Sequence, residues 1–565
     1  MKKQNFKAKG IVIKDKSGKV LTKENEILNR WKEYGSTLFE SSGEKLNFSI
    51  EQYEKEPEPL LDEVWAAFKQ LKQGKSPGLD NIPAELIRHS GYGGRKAMHH
   101  LCCKIWHTTI WPKDWKLQEF VVLYKSGDIK ECNNYRTIAL LSHASKILLI
   151  IILNRMKSKV EQELSDCQAG YRKNRGTTDM LFVLQNIIEK VNNTDLETFI
   201  TFIDYSKAFD SVIHNTLFET MCVLGFPKHL VLLISTLYTN QQATIRWDGQ
   251  NTEFFNIEKG VRQGCILSPH LFSLYTEQVM RDADIEGLGL TIGGRNITDL
   301  RYADDTALVS DNPTSMRRIV HKVDMAGRKA GLKLNAKKTK VMHIKRNNRE
   351  NHTFKVDNLP LENVEHFKYL GSIKSHNSSC SKDISARIGM TKNRMLQLTN
   401  IWKSHNIPIS LKIKLLECLV WPVLLYGSEA WAQKKTDDTK IEACEMWLYR
   451  RMLRISWTEK RTNDSILEAL KVPRKMLKLI NRRKLKYIGH ASRNQSTNLM
   501  TIAYQGKLDG RNCKGRPAVS VIENIKKASG LKLQEVSWKS QNRESWRRFV
   551  MDITTSNFES GDDDR

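Results

Sequence analysis

Two adjacent carboxylates interrupt a stretch that otherwise alternates like a β-strand. In DLRYADDTALVS, Asp299 to Ser310, strand-like flanks enclose Asp304 and Asp305. An Asp-Asp pair by itself usually marks a solvated turn. Strand-like flanks instead predict a hairpin tip on a sheet, where two neighbouring acids are seldom placed side by side without a cation. The chain is therefore expected to contain a sheet whose hairpin binds metal.

A second predicted strand ends in another carboxylate. ETFITFIDYSKAFDSV, Glu197 to Val212, begins with β-branched and aromatic residues, so Asp204 is expected near the carboxyl end of that strand. Two neighbouring divalent cations need several ionised carboxylates on rigid backbone, with oxygen ligands if the metal is Mg²⁺. Two such stretches side by side would supply them.

Length and charge limit the function classes. A chain of 565 residues predicts several domains at roughly 150 residues each. Lys and Arg total 91 against 63 Asp and Glu, a net charge of +28, which predicts a polyanionic partner. The 10 cysteines form neither C-x-x-C spacing nor a Cys/His cluster, which favours a reducing compartment over a zinc site or disulfides. The longest apolar block, Ile147 to Leu153, is too short to cross a bilayer, and no secretion signal is visible.

Local patterns predict several elements. A polar, proline-containing linker is expected before residue 61, a buried helix around Ile147 to Leu153, and a helix that starts with Ser268 as N-cap and Pro269 as N1. FKYLGSI, starting at Phe367, is typical of a strand. Apolar residues repeat helically from Ile384 to Ser404, and the remaining positions form a basic face that is either solvated or in contact with a phosphate backbone. The basic residues expected there are Arg387, Lys392, Arg394 and Lys403.

Taken in order, these motifs resemble those of reverse transcriptases, and more narrowly those of non-LTR, LINE-type retrotransposons. The matching segments are KSPGLDNIPAELI, VVLYKSGDIKECNNYRTIALLSHASKIL, CQAGYRKNRGTTD, FIDYSKAFD, GVRQGCILSP, YADD, GLKLNAKKTKVM and FKYLGSI. Any one of them is weak, but the ordered set is highly specific. The resemblance implies an α+β right-hand polymerase. Its parts would be an N-terminal extension and linker (1–60), fingers and a palm with an antiparallel sheet (61–375), a helical thumb (376–470) and a mainly helical basic C-terminal region (471–565).

The resemblance also implies the metal site. Asp204, Asp304 and Asp305 correspond to catalytic carboxylates that bind two Mg²⁺ ions, with Mn²⁺ as a substitute, and the backbone carbonyl of Tyr205 is an expected additional ligand. One metal would lower the pKa of the primer 3′-hydroxyl, while the other would hold the triphosphate and its leaving pyrophosphate. Asp304 is expected to be indispensable and Asp305 more tolerant of substitution.

Further residues are assigned to the incoming dNTP by the resemblance. Lys125 and Arg136 would clamp the triphosphate. Phe209 would close against the 2′ carbon of the sugar and so select deoxynucleotides, although a simple core aromatic is the alternative. Gln263 would touch the nascent base pair. Lys338 would assist pyrophosphate departure, with the choice between it and its neighbours Lys337 and Lys340 left open.

Template and primer contacts are expected at two places. Gly264 would permit close approach of the backbone to the template. FKYLGS resembles the primer grip, which contributes Tyr369, Leu370 and Gly371, and Tyr302 precedes the carboxylate pair. The basic helical face of the thumb would then contact the template–primer duplex.

The sequence departs from the family pattern in several places. Thr137 and Ile213 stand where proline is usual, and Gly35 stands where an aromatic is common, so lower stability is expected without any effect on the metals. Relatives usually begin with an endonuclease, so this chain is expected to be either a fragment or a nuclease-free derivative. The endonuclease would then come from a missing N-terminal domain or from another protein.

The leading hypothesis is an RNA-directed DNA polymerase that copies element RNA from a 3′-hydroxyl in nicked DNA. Its partners would be an RNA template, a DNA primer or target and dNTPs, with no membrane, in the nucleus and cytoplasm. A catalytically silent nucleic-acid-binding protein is one alternative, and an RNA-dependent RNA polymerase with room for a 2′-hydroxyl is another. Two basic runs also stay open: NRRKLK (Asn481 to Lys486) as a nuclear address or a nucleic-acid-facing helix, and Lys514 to Pro517 as a minor-groove contact or a basic loop.

Overall fold

The computed structural model describes residues 12–41, 46–345, 352–493, 498–513 and 518–556. The helices are α1 (Glu24–Phe39), α2 (Leu61–Gln70), α3 (Ala84–Arg88), α4 (Gly91–Thr108), α5 (Lys113–Lys116), α6 (His143–Glu163), α7 (Thr177–Asn192), α8 (His214–Val223), α9 (Lys228–Tyr238), α10 (Ser268–Asp282), α11 (Pro313–Lys329), α12 (Ser381–Gln397), α13 (Thr399–Lys403), α14 (Ile409–Leu419), α15 (Trp421–Leu425), α16 (Lys435–Leu453), α17 (Asn463–Leu470), α18 (Met476–Ser492), α19 (Leu499–Gln505), α20 (Val521–Ser529), α21 (Leu533–Lys539) and α22 (Arg543–Ser556).

Strands are interspersed among the helices in the N-terminal two thirds of the chain. They are β1 (Ile13–Lys14), β2 (Val20–Leu21), β3 (Leu117–Tyr124), β4 (Tyr135–Leu140), β5 (Thr198–Ile203), β6 (Gln241–Trp247), β7 (Gln250–Asn251), β8 (Phe255–Ile257), β9 (Leu290–Ile292), β10 (Arg295–Ile297), β11 (Asp299–Tyr302), β12 (Asp305–Ser310), β13 (Lys340–Ile344), β14 (Lys355–Val356), β15 (Leu359–Pro360), β16 (Glu362–Asn363), β17 (His366–Tyr369) and β18 (Ser372–Ser375). This mixture confirms the expected α+β class.

The chain forms two compact units, each discontinuous in sequence. The first unit comprises Met1–Arg172, Tyr205–Asp284 and Lys322–Leu334, and the second comprises Lys173–Asp204, Ile285–His321 and Asn335–Arg565. The four-part division predicted from the sequence, whose parts are continuous, remains a prediction beside these units.

The first unit is built on a sheet of strand order β4-β3-β6-β7, with β8 also paired to β6. Strand β3 runs antiparallel to β4 and parallel to β6. Helix α1 covers β6 and β8, and its buried Trp31 places its ring centroid 5.3 Å from that of Tyr135 and 5.2 Å from that of Trp247. The apolar block Ile147 to Leu153 lies in α6, as predicted, and its residues 147–152 are all buried. A helix that is apolar on every side must be covered on every side.

The second unit is built on a sheet of strand order β11-β12-β5-β13-β16. All six residues of β5 are buried, which explains why TFITFI is apolar or β-branched throughout. Strands β12 and β13 flank β5 in antiparallel orientation, and α7 packs against β11 and β13. The central strand is thus paired on both edges, and it ends at the residue before Asp204.

Three sequence predictions need correction. Helix α10 begins at Ser268 with Leu267 as N-cap, one residue earlier than predicted, although a proline still lies in its first turn. FKYLGSI is not one strand but the hairpin β17–β18, because Leu370 (φ 46°) and Gly371 (φ 80°) turn the chain. The helix predicted from Ile384 to Ser404 is divided at Leu398 into α12 and α13.

Arg387, which was expected on a basic face of that helix, is buried. Its guanidinium lies 4.4 Å from the centroid of the Tyr426 ring and donates a hydrogen bond to the carbonyl of Gly371. A planar cation can be buried where a ring face and a carbonyl replace water. Helical periodicity alone does not reveal such a partner.

Four further features concern the stretch before α2, the cysteines, membrane-spanning helices and a basic run. Residues 46–60 contain no helix or strand. Their assignment as a linker stays a prediction, because Glu56 is hydrogen-bonded to Trp106 and His229 of the same unit. The ten cysteines all lie in the described residues, and none of them forms a disulfide. Among the described residues, no helix is both long and apolar enough for a membrane crossing. The basic run Lys514 to Pro517 lies outside the described residues.

Candidate active site

The carboxylate pair lies at the tip of a hairpin, as the sequence predicted. Strands β11 and β12 pair with Tyr302 opposite Asp305, so Ala303 and Asp304 form a two-residue turn. Ala303 has φ 59°, and a positive φ at the first central position is the conformation that usually selects glycine. An alanine in this conformation is strained, and such strain is concentrated at functional turns.

The register of the sheet places a further carboxylate beside this tip. Thr306 of β12 pairs with Ile203 of β5 in antiparallel orientation, so the next step of the same register sets Asp305 opposite Asp204. Directly opposed residues of an antiparallel pair have Cβ atoms roughly 4.5–5.5 Å apart. The structure therefore brings the three predicted carboxylates to one end of β5 and β12, with Asp305 exposed and Asp304 half-buried.

The backbone of Asp204 is hydrogen-bonded to residues 335 and 339 of the same unit. Its carbonyl accepts a hydrogen bond of 2.8 Å from the backbone N–H of Asn335, and its own N–H donates to Oγ1 of Thr339 at 3.4 Å. One carboxylate oxygen, Oδ2, is shielded from solvent and accepts no hydrogen bond from the described residues. This oxygen lies 3.5 Å from Nζ of Lys338.

The structure also separates two of the three lysines that the sequence left open. Lys338 lies beside Asp204, whereas Nζ of Lys340 lies 2.5 Å from Oε2 of Glu362. The lysine predicted to assist pyrophosphate departure is therefore the one next to the carboxylates. Its role in that step remains a prediction.

These residues suit a hard divalent cation. The described part of the chain contains no group of three His, Cys, Asp or Glu side chains arranged as a metal site. However, a shielded carboxylate oxygen at Asp204 and an opposed carboxylate at Asp305 provide the kind of oxygen ligands and negative charge that Mg²⁺ requires. Asp204 and Asp305, with Asp304 in the adjoining turn, are the residues that would hold it.

In the first unit, the two predicted triphosphate ligands lie on one hairpin. Arg136 on β4 pairs with Leu123 on β3, and the N–H of Lys125 donates to the carbonyl of Asn134 at 2.9 Å. Both side chains are exposed. The β3–β4 hairpin thus carries two cations that are available to a phosphate.

Gln263 has a partner that the sequence did not identify. Its Nε2 donates a hydrogen bond of 2.6 Å to Oδ1 of the buried Asp210. Burial raises the pKa of Asp210 to about 6, whereas the Gln263 hydrogen bond and the charges of Lys207 and Arg136 act in the opposite direction. Asp210 and Gln263 are 53 residues apart, and the only signal in the sequence was an acid directly after Phe209.

Phe209 is half-buried, with one face against the core. Its ring is stacked on that of Phe272 in α10, with centroids 4.2 Å apart and an interplanar angle of 16°. Its carbonyl accepts a hydrogen bond of 2.8 Å from the N–H of Val261. A ring fixed on one face and open on another satisfies both the core interpretation and the sugar-gate interpretation.

Gly264 lies so close to the backbone of Ala139 that a side chain would not fit. Its φ is +121°, and a Cβ there would lie 2.5 Å from the carbonyl oxygen of Ala139. The neighbouring carbonyl of Gln263 accepts a hydrogen bond of 2.7 Å from the N–H of Ala139. Close backbone approach is therefore present, but towards strand β4, and a contact with the template stays a prediction.

The predicted primer grip divides into a buried side chain and a turn. Tyr369 is 2% exposed, and its hydroxyl donates to the carbonyl of Leu300 at 3.0 Å, so this side chain supports the sheet. A contact of this residue with a primer stays a prediction. The turn residues Leu370 and Gly371 remain candidates, since Tyr426 fixes the carbonyl of Leu370 through a hydrogen bond of 2.8 Å. Tyr302 is half-buried, and burial raises its pKa.

Tyr205 is the first residue of its segment in the first unit. It forms an isolated antiparallel bridge with Leu334, and the next residue, Ser206, donates its N–H to the carbonyl of Lys333 at 2.9 Å. The Tyr205 side chain is buried. The role of its carbonyl as a metal ligand stays a prediction.

Sequence comparisons relate this chain to reverse transcriptases of mobile elements. Residues 124–373 match the family described as reverse transcriptase (RNA-dependent DNA polymerase). The chain is 28% identical over 320 residues to a retrovirus-related Pol polyprotein from the type-1 retrotransposable element R2 of Popillia japonica, a match that covers 55% of this chain and 44% of that protein. It is 24% identical over 403 residues to the RNA-directed DNA polymerase from mobile element jockey of Drosophila funebris, covering 69% and 43%.

Solved structures give a more distant likeness. Telomerase from Candida albicans in complex with a fragment of telomeric RNA aligns with a TM-score of 0.41 and 10% identity, over 64% of this chain and 66% of that one. The chain spans less than half the length of the two curated relatives described above.

Proposed function

We propose that this chain, which carries a reverse transcriptase domain related to those of non-LTR retrotransposons, is an RNA-directed DNA polymerase. The observation that supports the proposal most strongly is the sheet register that sets Asp305 opposite Asp204, with Asp304 in the adjoining strained turn. Carboxylates on a rigid sheet end are the ligands that phosphoryl transfer with two Mg²⁺ ions needs.

The residues then take distinct roles in nucleotidyl transfer. Asp204, Asp304 and Asp305 would hold the metals, and two bound Mg²⁺ ions would supply charge stabilisation and a lowered pKa of the primer 3′-hydroxyl. Lys338, whose ammonium lies beside Asp204, stabilises the departing pyrophosphate. The exposed cations of the β3–β4 hairpin, Lys125 and Arg136, bind the triphosphate.

The substrates follow from the same assignment. The template is RNA, the primer is a DNA 3′-hydroxyl at a nicked target, and the half-exposed ring of Phe209 excludes ribonucleotides. An endonuclease acting at the target would be supplied by another domain or another protein. The chain is proposed to act in the nucleus and the cytoplasm.

A primer-extension assay tests this proposal. The purified chain is given a DNA primer annealed to an RNA template, with dNTPs and Mg²⁺, and product length is followed. Extension that stops on addition of EDTA, and that is much weaker with rNTPs, is expected. Binding of the primer–template without any extension would support the catalytically silent alternative instead, and preferential use of rNTPs would support an RNA-dependent RNA polymerase.

A further inference from the structure

Helices α18 and α22, in the C-terminal part of the second unit, pack closely against each other. A side chain at Gly489 would collide with the indole of Trp546, so glycine is needed for this approach. The indole Nε1 donates a hydrogen bond of 2.9 Å to the carbonyl of Leu485. Lys486 follows Leu485 on α18, and Arg547 follows Trp546 on α22. Both of these cationic side chains are exposed.

This packing brings cations of the two helices together. The pKa of Lys486 is lowered, first by burial and then by the charges of Arg482 and Arg547. The pKa of Arg493 is lowered by burial and then by the charge of Arg543. These five residues, which we call the α18–α22 basic face, therefore repel one another across the helix pair.

Among the described residues, four of the five cations of the face have no acidic partner, unlike a neighbouring cation on the same helix. Within the part of the chain that the structure describes, Arg482, Lys486, Arg543 and Arg547 form no ion pair with an acid, whereas Nη2 of the adjacent Arg483 lies 2.6 Å from Oε1 of Glu429. Crowded like charges destabilise a folded surface unless an anion is bound there.

An exposed tryptophan, Trp538, lies near the α18–α22 basic face. Trp538, in the last turn of α21, is 77% exposed, which is extreme for a tryptophan. The next residue, Lys539, holds its ammonium 5.0 Å from the ring centroid of Phe549 on α22. The carbonyl of Ser540 accepts a hydrogen bond of 2.9 Å from Arg493, so the end of α21 adjoins the basic face. Cations beside an exposed aromatic ring match unpaired nucleotides, whose bases stack while their phosphates are neutralised.

We infer that the α18–α22 basic face, together with Trp538, binds a single-stranded polynucleotide. The cations contact consecutive phosphates, and the indole stacks on an unpaired base. This activity goes beyond polymerisation and does not depend on it, because it needs neither the carboxylates nor dNTPs. It also gives a structural role to the run NRRKLK, in which Lys484 is fully buried and only part of the charge faces outward.

Salt-dependent binding to a fluorescent single-stranded RNA of about 20 nucleotides, in EDTA and without dNTPs, tests the inference on the full chain. The triple variant Arg482→Gln/Lys486→Gln/Arg547→Gln should reduce the slope of log K against log salt by about 2, at roughly 0.7 per lost contact, and weaken binding at least about tenfold near 0.1 M salt. The matched control Lys69→Gln/Lys96→Gln/Lys104→Gln removes the same charge from helices α2 and α4 and should leave the slope unchanged. The charge-preserving variant Arg482→Lys/Lys486→Arg/Arg547→Lys should retain the parental slope, which separates lost contacts from misfolding.

Trp538→Ala should weaken binding about fivefold or more with the slope unchanged, because stacking releases no counterions. A single-stranded DNA of the same length separates the two possible sources of the strand, and either one binding through the face supports the inference. Equal slopes for the triple variant and its control would overturn it. Equally tight binding of duplex DNA, with no effect of Trp538→Ala, would overturn the single-strand assignment.

Discussion

Replacement of Asp210 by asparagine should stabilise the protein at neutral pH. Burial raises the pKa of Asp210 from 3.8 to about 6. Because the pKa is higher in the folded state than in the unfolded state, the native state binds more protons between about pH 4 and pH 6. The stability that this group contributes is therefore fully present below about pH 4 and is lost as the pH rises through about 6. At about 1.4 kcal/mol per pKa unit, the ionised group costs about 3 kcal/mol at pH 7.

Asp210→Asn removes this cost, because an amide oxygen can still accept the Gln263 hydrogen bond while carrying no charge. Urea unfolding at about pH 7 should show a gain of up to about 3 kcal/mol over the parent chain, and the gain should vanish near pH 4. The exposed Asp62→Asn is the control and should change stability by less than about 1 kcal/mol at either pH. A stability difference between Asp210→Asn and the parent that does not vary with pH would refute the buried-charge reasoning.

Three further substitutions test separate parts of the site. Gly264→Ala places a Cβ 2.5 Å from a carbonyl oxygen at φ +121°, whereas in the control Gly249→Ala φ is +92° and no atom lies within 4 Å of the new Cβ. Gly264→Ala should therefore lower the unfolding free energy by about 1–3 kcal/mol more than the control. Equal losses of stability in thermal melts would show that the contact is unimportant. Lys338→Ala should slow single-nucleotide incorporation by roughly 10²-fold while Lys337→Ala does not, and equal rates would remove the lysine from pyrophosphate departure. Phe209→Ala should raise rNTP use relative to dNTP use in competition assays, whereas an unchanged ratio would favour the core interpretation.

The parts of the site that depend on local pattern could be predicted from the sequence. The apolar run before Asp204 and the strand-like flanks of Asp304 each specify a strand and its end, so sheet pairing alone brings the carboxylates together. The long-range partners could not be predicted. Nothing local links Asp210 to Gln263 or Arg387 to Tyr426, because such contacts depend on how distant segments pack. The burial of Tyr369 could not be predicted for the same reason, since a hairpin turn and a distant carbonyl decide which way its side chain points.

Single-turnover incorporation by Asp304→Asn tests the central claim most directly. The chain is bound to a DNA primer annealed to an RNA template, and addition of one dNTP is followed with Mg²⁺ present. Asp311→Asn is the matched control, since Asp311 is an exposed acid just beyond the other end of β12, where its Oδ1 accepts a hydrogen bond of 2.7 Å from Asn312. We expect Asp304→Asn to lose at least about 10³-fold in rate, because a metal ligand in the transition state is removed, while Asp311→Asn keeps the parental rate. A parental rate in Asp304→Asn would contradict the assignment of these carboxylates as the polymerase metal site.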